Sequence, residues 1–133
     1  MCIFCKIVNK EIPSNIVLED DNFLAFHDIN PTRKVHVLVI PKSHYDSFEE
    51  TPSDIMSDLS SFIKKVTKEL KIVKSGYRMI TNIGNDGGQE VPHLHFHLIG
   101  GAKVGRLASD KYDLSDKLKK FLLLITQKKI LNS

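Results

Sequence analysis

The chain contains no tryptophan, and only two of its 133 residues are cysteine. So few thiols exclude a disulfide-dense scaffold. Five prolines and seven glycines are too few for a collagen-like or Pro/Gly-rich disordered chain. No apolar run approaches the ~18 residues of a membrane span. The opening Met1-Cys2-Ile3-Phe4-Cys5-Lys6 also lacks the layout of a secretory leader. The expectation is a cytoplasmic protein without a membrane role. With 41% hydrophobic and 26% charged residues the composition is that of an ordinary globular domain. A chain of this length buries roughly two-thirds of the surface that its unfolded form exposes, so one domain over residues 1–133 needs no staple.

Net charge is +3, unevenly placed: residues 101–133 hold eight Lys/Arg against three Asp. Lysines in such a segment ordinarily line the wet face of a helix, and nucleic acid is not the expected partner. Cys2 and Cys5 sit three apart at the start. In a reducing compartment that spacing points to metal or redox chemistry rather than a structural disulfide.

No repeat, low-complexity tract or linker divides the chain. Ile16 to Glu19 and Phe23 to His27 flank the turn Asp20-Asp21-Asn22 and read as a hairpin, and Val35 to Ile40 is a third strand stopped by Pro41. A helix follows, with Thr51 as N-cap, Pro52 in the first helical position and Asp54 in the first turn. Ile55, Leu59, Phe62, Ile63, Val66 and Leu70 make one apolar stripe, with Lys64, Lys65, Lys68 and Glu69 outside it and Gly76 at the exit. Tyr77 to Ile83 and His93 to Ile99 read as further strands. A second helix is expected from near Asp113, with Leu114, Leu118, Phe121, Leu122 and Ile125 on one face. Strands grouped around one long helix imply an α+β domain with a largely antiparallel sheet.

Six of the seven glycines lie between positions 84 and 105, and three of the six histidines lie between 93 and 97. In His93-Leu94-His95-Phe96-His97-Leu98 the period is two. On a strand the imidazoles share one face at roughly 6–7 Å intervals while Leu94, Phe96 and Leu98 enter the core. Three such rings could chelate a metal, hold a phosphate, or supply a nucleophile and its helpers. The loop Asn82-Ile83-Gly84-Asn85-Asp86-Gly87-Gly88-Gln89-Glu90 favours phosphate, because glycines let successive N–H groups converge on an anion. A neutral imidazole beside a bound phosphate can attack phosphorus, and His95, flanked by an imidazole on each side, is best placed. The loop amides and His97 would stabilise the developing negative charge.

His93-Leu94-His95-Phe96-His97-Leu98-Ile99 resembles the signature of the histidine triad family. The likeness extends through Asn82 to Gln89, Gly76-Tyr77-Arg78-Met79, Val37 to His44 and Phe26-His27-Asp28-Ile29, and reaches Lys10-Glu11-Ile12-Pro13 and Ile3-Phe4-Cys5-Lys6-Ile7. Over residues 2–101 it is similar to the Hint branch, the nucleoside phosphoramidases. The basic segment 102–133 does not share the likeness.

The resemblance implies a five-stranded antiparallel sheet with one long helix plus a C-terminal helix, paired in a homodimer as a ten-stranded sheet. It implies hydrolysis of a purine nucleoside 5′-phosphoramidate through a nucleotidyl intermediate on His95. His97 and Gln89 would join His95 in catalysis. Asn82, Gly88, Gln89 and Glu90 would line the phosphate loop, Asp28 would bond the ribose, and Phe4, Ile7, Phe26, His27 and Ile29 would form the base cleft. Glu90 stands where Hint members carry a serine. In relatives with the N-terminal cysteine pair, two histidines complete a structural Zn²⁺ site, here Cys2, Cys5, His44 and His93. Sister branches hydrolyse diadenosine polyphosphates or transfer nucleotides by the same attack. From a different class, a nucleotide-binding scaffold with idle catalytic residues is the further alternative.

Overall fold

The fold is that of a computed structural model, which describes residues 2–106 and 121–128. Its elements run α1 (Ile3–Val8), β1 (Ile16–Glu19), β2 (Phe23–His27), β3 (Val35–Pro41), α2 (Ser53–Glu69), β4 (Tyr77–Ile80) and β5 (Phe96–Gly100). The strands form one five-stranded sheet in the order β1-β2-β3-β5-β4, every neighbouring pair antiparallel. The α+β architecture anticipated from the sequence is the one observed.

The first hairpin is closed by Asp20, whose carboxylate accepts the N–H groups of Asn22 and Phe23, both at 2.8 Å. Two-residue alternation then sorts the sheet into two faces. Phe23, Ala25, Val37, Val39, Phe96 and Leu98 meet Leu59, Phe62, Ile63 and Val66 of α2 in the main core. Leu24, Phe26, Leu38 and Ile40 point the other way and are covered by Phe4 and Ile7 of α1.

The stripe of α2 packs as its spacing requires, but both ends differ from expectation. The Thr51 hydroxyl donates to the Ser47 carbonyl at 2.7 Å, so it is spent on the preceding turn. Pro52 takes the N-cap position without a side-chain cap, and the helix begins at Ser53. At the exit the chain already leaves the helix at Lys71, which adopts the left-handed conformation at φ +58°, while Gly76, also at positive φ (+96°), lies farther on before β4. The amides of Lys71 and Ile72 reach back to the carbonyls of Lys68 and Thr67 at 3.1 and 3.2 Å. These bonds satisfy carbonyls at the helix end and offset the strain of about 1 kcal/mol that a side chain incurs there.

The last two strands are shorter than their patterns suggested. β4 stops at Ile80 because the Thr81 hydroxyl, donating to the His95 carbonyl at 2.8 Å, replaces the sheet ladder. β5 starts at Phe96, not at His93. The amide of His93 is taken by the Val91 carbonyl at 2.8 Å and that of Leu94 by the Tyr45 carbonyl at 2.7 Å.

The two sheet edges are unlike. β1 carries a register shift between Ile16 and Leu18. At its end Glu19 is held by Lys10 at 2.9 Å and Lys42 at 2.7 Å. Among the described residues β4 shows neither a register shift nor an ion pair, and Tyr77 and Met79 on it are exposed. Of the second predicted helix, Asp113, Leu114 and Leu118 fall outside the described residues. Residues 121–128 are helical, with Phe121, Leu122 and Ile125 exposed. Among the described residues no helix is long and apolar enough to cross a membrane.

Candidate functional site

The α1 side of the sheet carries His36, His95 and His97. His97 on β5 pairs across to Leu38 of β3 and Ile80 of β4. His95 is two residues earlier on the same side, and the His95 and His97 ring centroids are 5.1 Å apart. Phe4 of α1 stands edge-on to His95 with centroids 5.1 Å apart and also contacts Phe26 and His93. The short helix therefore forms a wall beside the central imidazole.

Hydrogen bonding fixes the tautomer of each ring. His95 Nδ1 lies 2.7 Å from the His93 carbonyl, which can only accept. Nδ1 therefore carries the proton, and Nε2 presents a bare lone pair. His36 Nδ1 accepts the Thr32 N–H at 3.1 Å, which puts the His36 proton on Nε2. That Nε2–H donates to His97 Nδ1 at 2.9 Å, with the Asp28 carboxylate 3.4 Å away. His97 is left with Nε2–H as its remaining donor. Burial, then the neighbouring His95 and His36, push His97 down to about 4, against an Asp28 carboxylate that favours the charged ring. Burial likewise lowers His36.

The glycine loop that joins β4 to the histidine segment is a tight turn. A Cβ at Gly87 would collide with the Ile83 carbonyl oxygen, and Gly88 sits at φ +79°. The amides of Gly88 and Gln89 close the turn on the carbonyls of Asn85 and Gly84, each at 3.0 Å. These two N–H groups therefore do not converge outward as the sequence suggested. Asn82 is half-buried, and Glu90 is exposed. The Gln89 carboxamide accepts from the Gly84 N–H at 2.9 Å and donates to the carbonyls of Asp46 at 2.6 Å and Val91 at 3.0 Å.

Cys2, Cys5, His44 and His93 converge as a separate cluster, their ligand atoms all within 4.8 Å of one another. His93 donates from Nε2 to the Pro41 carbonyl at 2.8 Å, and His44 donates from Nε2 to Asp46 at 2.8 Å. Both Nδ1 atoms are consequently bare, yet they face each other at 3.1 Å. The sulfur-to-Nδ1 separations are 3.3–3.6 Å. A tetrahedron built on ordinary zinc bond lengths has S···N edges of about 3.5 Å and an N···N edge of about 3.3 Å. The donor set thus matches a zinc centre in chemistry and in edge length, with Asp46 and Pro41 orienting the imidazoles. Burial opposes ionisation of Cys2, but hydrogen bonds from Cys5 together with His44 outweigh it and lower its thiol. Burial and the neighbouring Cys2 push Cys5 up to about 11. Asp28, His36 and His97 are also close enough to share a cation. There, however, the tautomer chain already pairs the facing nitrogens.

The HIT domain family model matches residues 9–104. The chain belongs to the HIT family. An uncharacterized HIT-like protein of Methanocaldococcus jannaschii is 47% identical over 128 residues, covering 90% of this chain and 97% of its own. A HIT family hydrolase from Clostridium thermocellum superposes with a TM-score of 0.76 at 44% identity, covering 80% of this chain and 96% of that one. A histidine triad nucleotide-binding protein from Candida albicans gives 0.72 at 36% identity, with both chains fully covered.

Within this HIT domain, the structure brings together most of the residues singled out from sequence. Phe4, Ile7 and Phe26 are buried on the histidine face, and half-buried Asp28 borders it through His36. Its carboxylate also accepts the Asn30 N–H at 2.9 Å. His27 is exposed, and Ile29, 91% exposed, stands clear of the cluster. The triad is divided: His93 turns its ring to the cysteines, and only His95 and His97 remain together. The residue missed was His36. Its signal lies in the alternation His36, Leu38, Ile40 along β3, which places a polar ring on the same face as His97.

A pH dependence follows from these shifts. His97 falls from 6.5 to about 4 on folding, so between those values the unfolded chain binds the extra proton and stability declines as pH drops. Urea midpoints measured from pH 7.5 to 4.5 should fall less steeply for His97→Asn than for the parent. Equal slopes would show that His97 does not contribute.

Proposed function

We propose that this HIT protein hydrolyses nucleoside 5′-phosphoramidates, of the adenosine 5′-phosphoramidate type, through a covalent intermediate on His95. The supporting observation is the bond from His95 Nδ1 to the His93 carbonyl, which leaves Nε2 as the free nucleophile. Nucleotide binding and hydrolysis also accord with the names carried by its structural neighbours.

In this reading Nε2 attacks the 5′-phosphorus and the P–N bond to the amine breaks. Water then cleaves the Nε2–P bond. The leaving nitrogen takes its proton from solvent in the first step. In the second the water's hydroxyl goes to phosphorus and its proton returns to solvent, so one water is consumed overall, giving the nucleoside monophosphate and restoring His95. His97 is neutral near pH 7, so it acts as a hydrogen-bond donor to a phosphoryl oxygen and not as a proton source. Its orientation is set by His36 and, through that ring, by the Thr32 amide. Asp28 keeps an acceptor lone pair for ribose hydroxyls. Phe4, Ile7 and Phe26 form the apolar side of the base cleft; His27, in register with Val37 of the opposite face, and the exposed Ile29 keep a part in it by family likeness alone. Asn82, Gly88 and Glu90 border the phosphate, the exposed Glu90 side chain remaining in water.

His95→Ala should lose at least about 10³-fold in turnover while still binding adenosine monophosphate. Retained turnover would rule out the covalent route. Parent protein should prefer an adenosine 5′-phosphoramidate over diadenosine triphosphate by about two orders of magnitude in kcat/KM. The reverse preference would assign it to the dinucleotide hydrolases, and turnover of neither to nucleotide-binding scaffolds.

The Cys2, Cys5, His44 and His93 cluster holds a structural Zn²⁺ in the same reading, anchoring α1 against the nucleotide cleft. When bound, zinc supplies folding free energy and takes no part in phosphoryl transfer. Protein purified without chelator should carry close to one equivalent of zinc. A content below about one-tenth of an equivalent would contradict the assignment.

Among the described residues no strand lies beyond β4, and this edge suits antiparallel pairing with the same strand of a second copy, extending the sheet to ten strands. Light scattering should give twice the chain mass. A monomer at micromolar concentration would reject the homodimer.

A further inference from the structure

Gln89 sits in the phosphate loop, yet its carboxamide is spent on the main chain. Both Nε2 hydrogens are used, one on the Asp46 carbonyl and one on the Val91 carbonyl, while Oε1 takes the Gly84 N–H. A phosphate demands donors, and this side chain has none left. What it does instead is join three segments. Gly84 opens the glycine loop. Val91 ends it, and the Val91 carbonyl also accepts the His93 amide at 2.8 Å. Asp46 belongs to the turn that carries His44.

That turn is exposed, with the side chains of His44 and Asp46 40% and 67% accessible. The Asp46 carboxylate holds His44 Nε2, and His44 Nδ1 faces Cys2, Cys5 and His93. A cation at the cluster would pin His44. Without one, the exposed His44 ring is held by the Asp46 carboxylate and by its contacts with the thiols and His93 alone, so its turn is less firmly tied to the cluster. The Asp46 carbonyl of that turn is bonded to Gln89, and Gln89 to Gly84, so a shift of the turn on losing the cation would reach the glycine loop through this side chain.

We propose that Gln89 is a positioning residue that couples the Cys2–Cys5–His44–His93 metal centre to the phosphate loop, so that metal and nucleotide bind cooperatively. The inference rests on the nucleotide and zinc readings above. Linkage makes the effect reciprocal: whatever factor metal contributes to nucleotide affinity, nucleotide contributes to metal affinity.

Cobalt(II) and adenosine 5′-monophosphate are the probes. Calorimetry should show AMP binding at least about five-fold tighter to cobalt-loaded than to metal-free parent protein. Cobalt titrated in saturating AMP, followed by its visible absorption, should gain the same factor. Gln89→Ala should still take one equivalent of cobalt with the parent's spectrum, but its loaded-to-free ratio should fall below about two. Gln89→Glu keeps the acceptor for Gly84 and loses both donors, so it too should be uncoupled. A side chain that touched phosphate directly would weaken AMP equally in loaded and metal-free protein and leave the ratio intact. That result, or a parent ratio of one, overturns the proposal. Failure of the parent to bind cobalt would refute the metal centre, and failure of the loaded parent to bind AMP would refute the nucleotide site. Either takes the coupling with it.

Discussion

The position of His93 in two networks constrains everything around it. Its imidazole belongs to the thiol cluster through Nδ1, and its main-chain carbonyl receives the proton of His95 Nδ1. A neutral hydrogen bond is worth about 1 kcal/mol net, but a buried carbonyl left without a donor costs a further 1–3 kcal/mol. Together these favour one His95 tautomer by well over tenfold. The chemistry proposed for His95 therefore depends less on its own environment than on the backbone path of a residue whose ring serves something else.

The sheet separates two kinds of requirement. On the α2 side the buried strand positions Phe23, Ala25, Val37, Val39, Phe96 and Leu98 answer only to packing, and all are aliphatic or aromatic. On the α1 side the cover is one short helix, and the strands present His36, His95 and His97 along with Leu24, Phe26, Leu38 and Ile40. Burial on that side keeps His97 neutral, and neutrality is what allows a chain of donors to run from the Thr32 amide through His36 to His97. A more open site would charge these rings at mildly acidic pH and break the chain.

Much of this was legible in the sequence because it is written in short-range pattern. Alternation located β1, β2 and β3, the 3.6-residue stripe located α2, and the histidine alternation located His95 and His97. The cluster of Cys2, Cys5, His44 and His93 entered through family likeness and is brought together by the fold. What escaped depends on tertiary partners. His36 looks like a lone polar interruption in an apolar strand until β5 brings His97 beside it. Thr51 has the chemistry of a cap but is taken by Ser47, and Lys71 takes a bend that glycine ordinarily occupies. Gln89 carries the composition of a phosphate contact, and only the turn holding Asp46 shows where its donors go.

The unlike edges of the sheet have a consequence for assembly. A strand edge that is kinked and crossed by ion pairs at Glu19 offers no template for another chain. The opposite edge, β4, has no strand beyond it among the described residues. A sheet with a single adhesive side can be used up by one antiparallel match to itself, which is a closed arrangement and leaves no free end to recruit a third copy. Growth into a fibre would need both sides to be sticky, and the Lys10–Glu19–Lys42 bridge removes that option at the β1 edge.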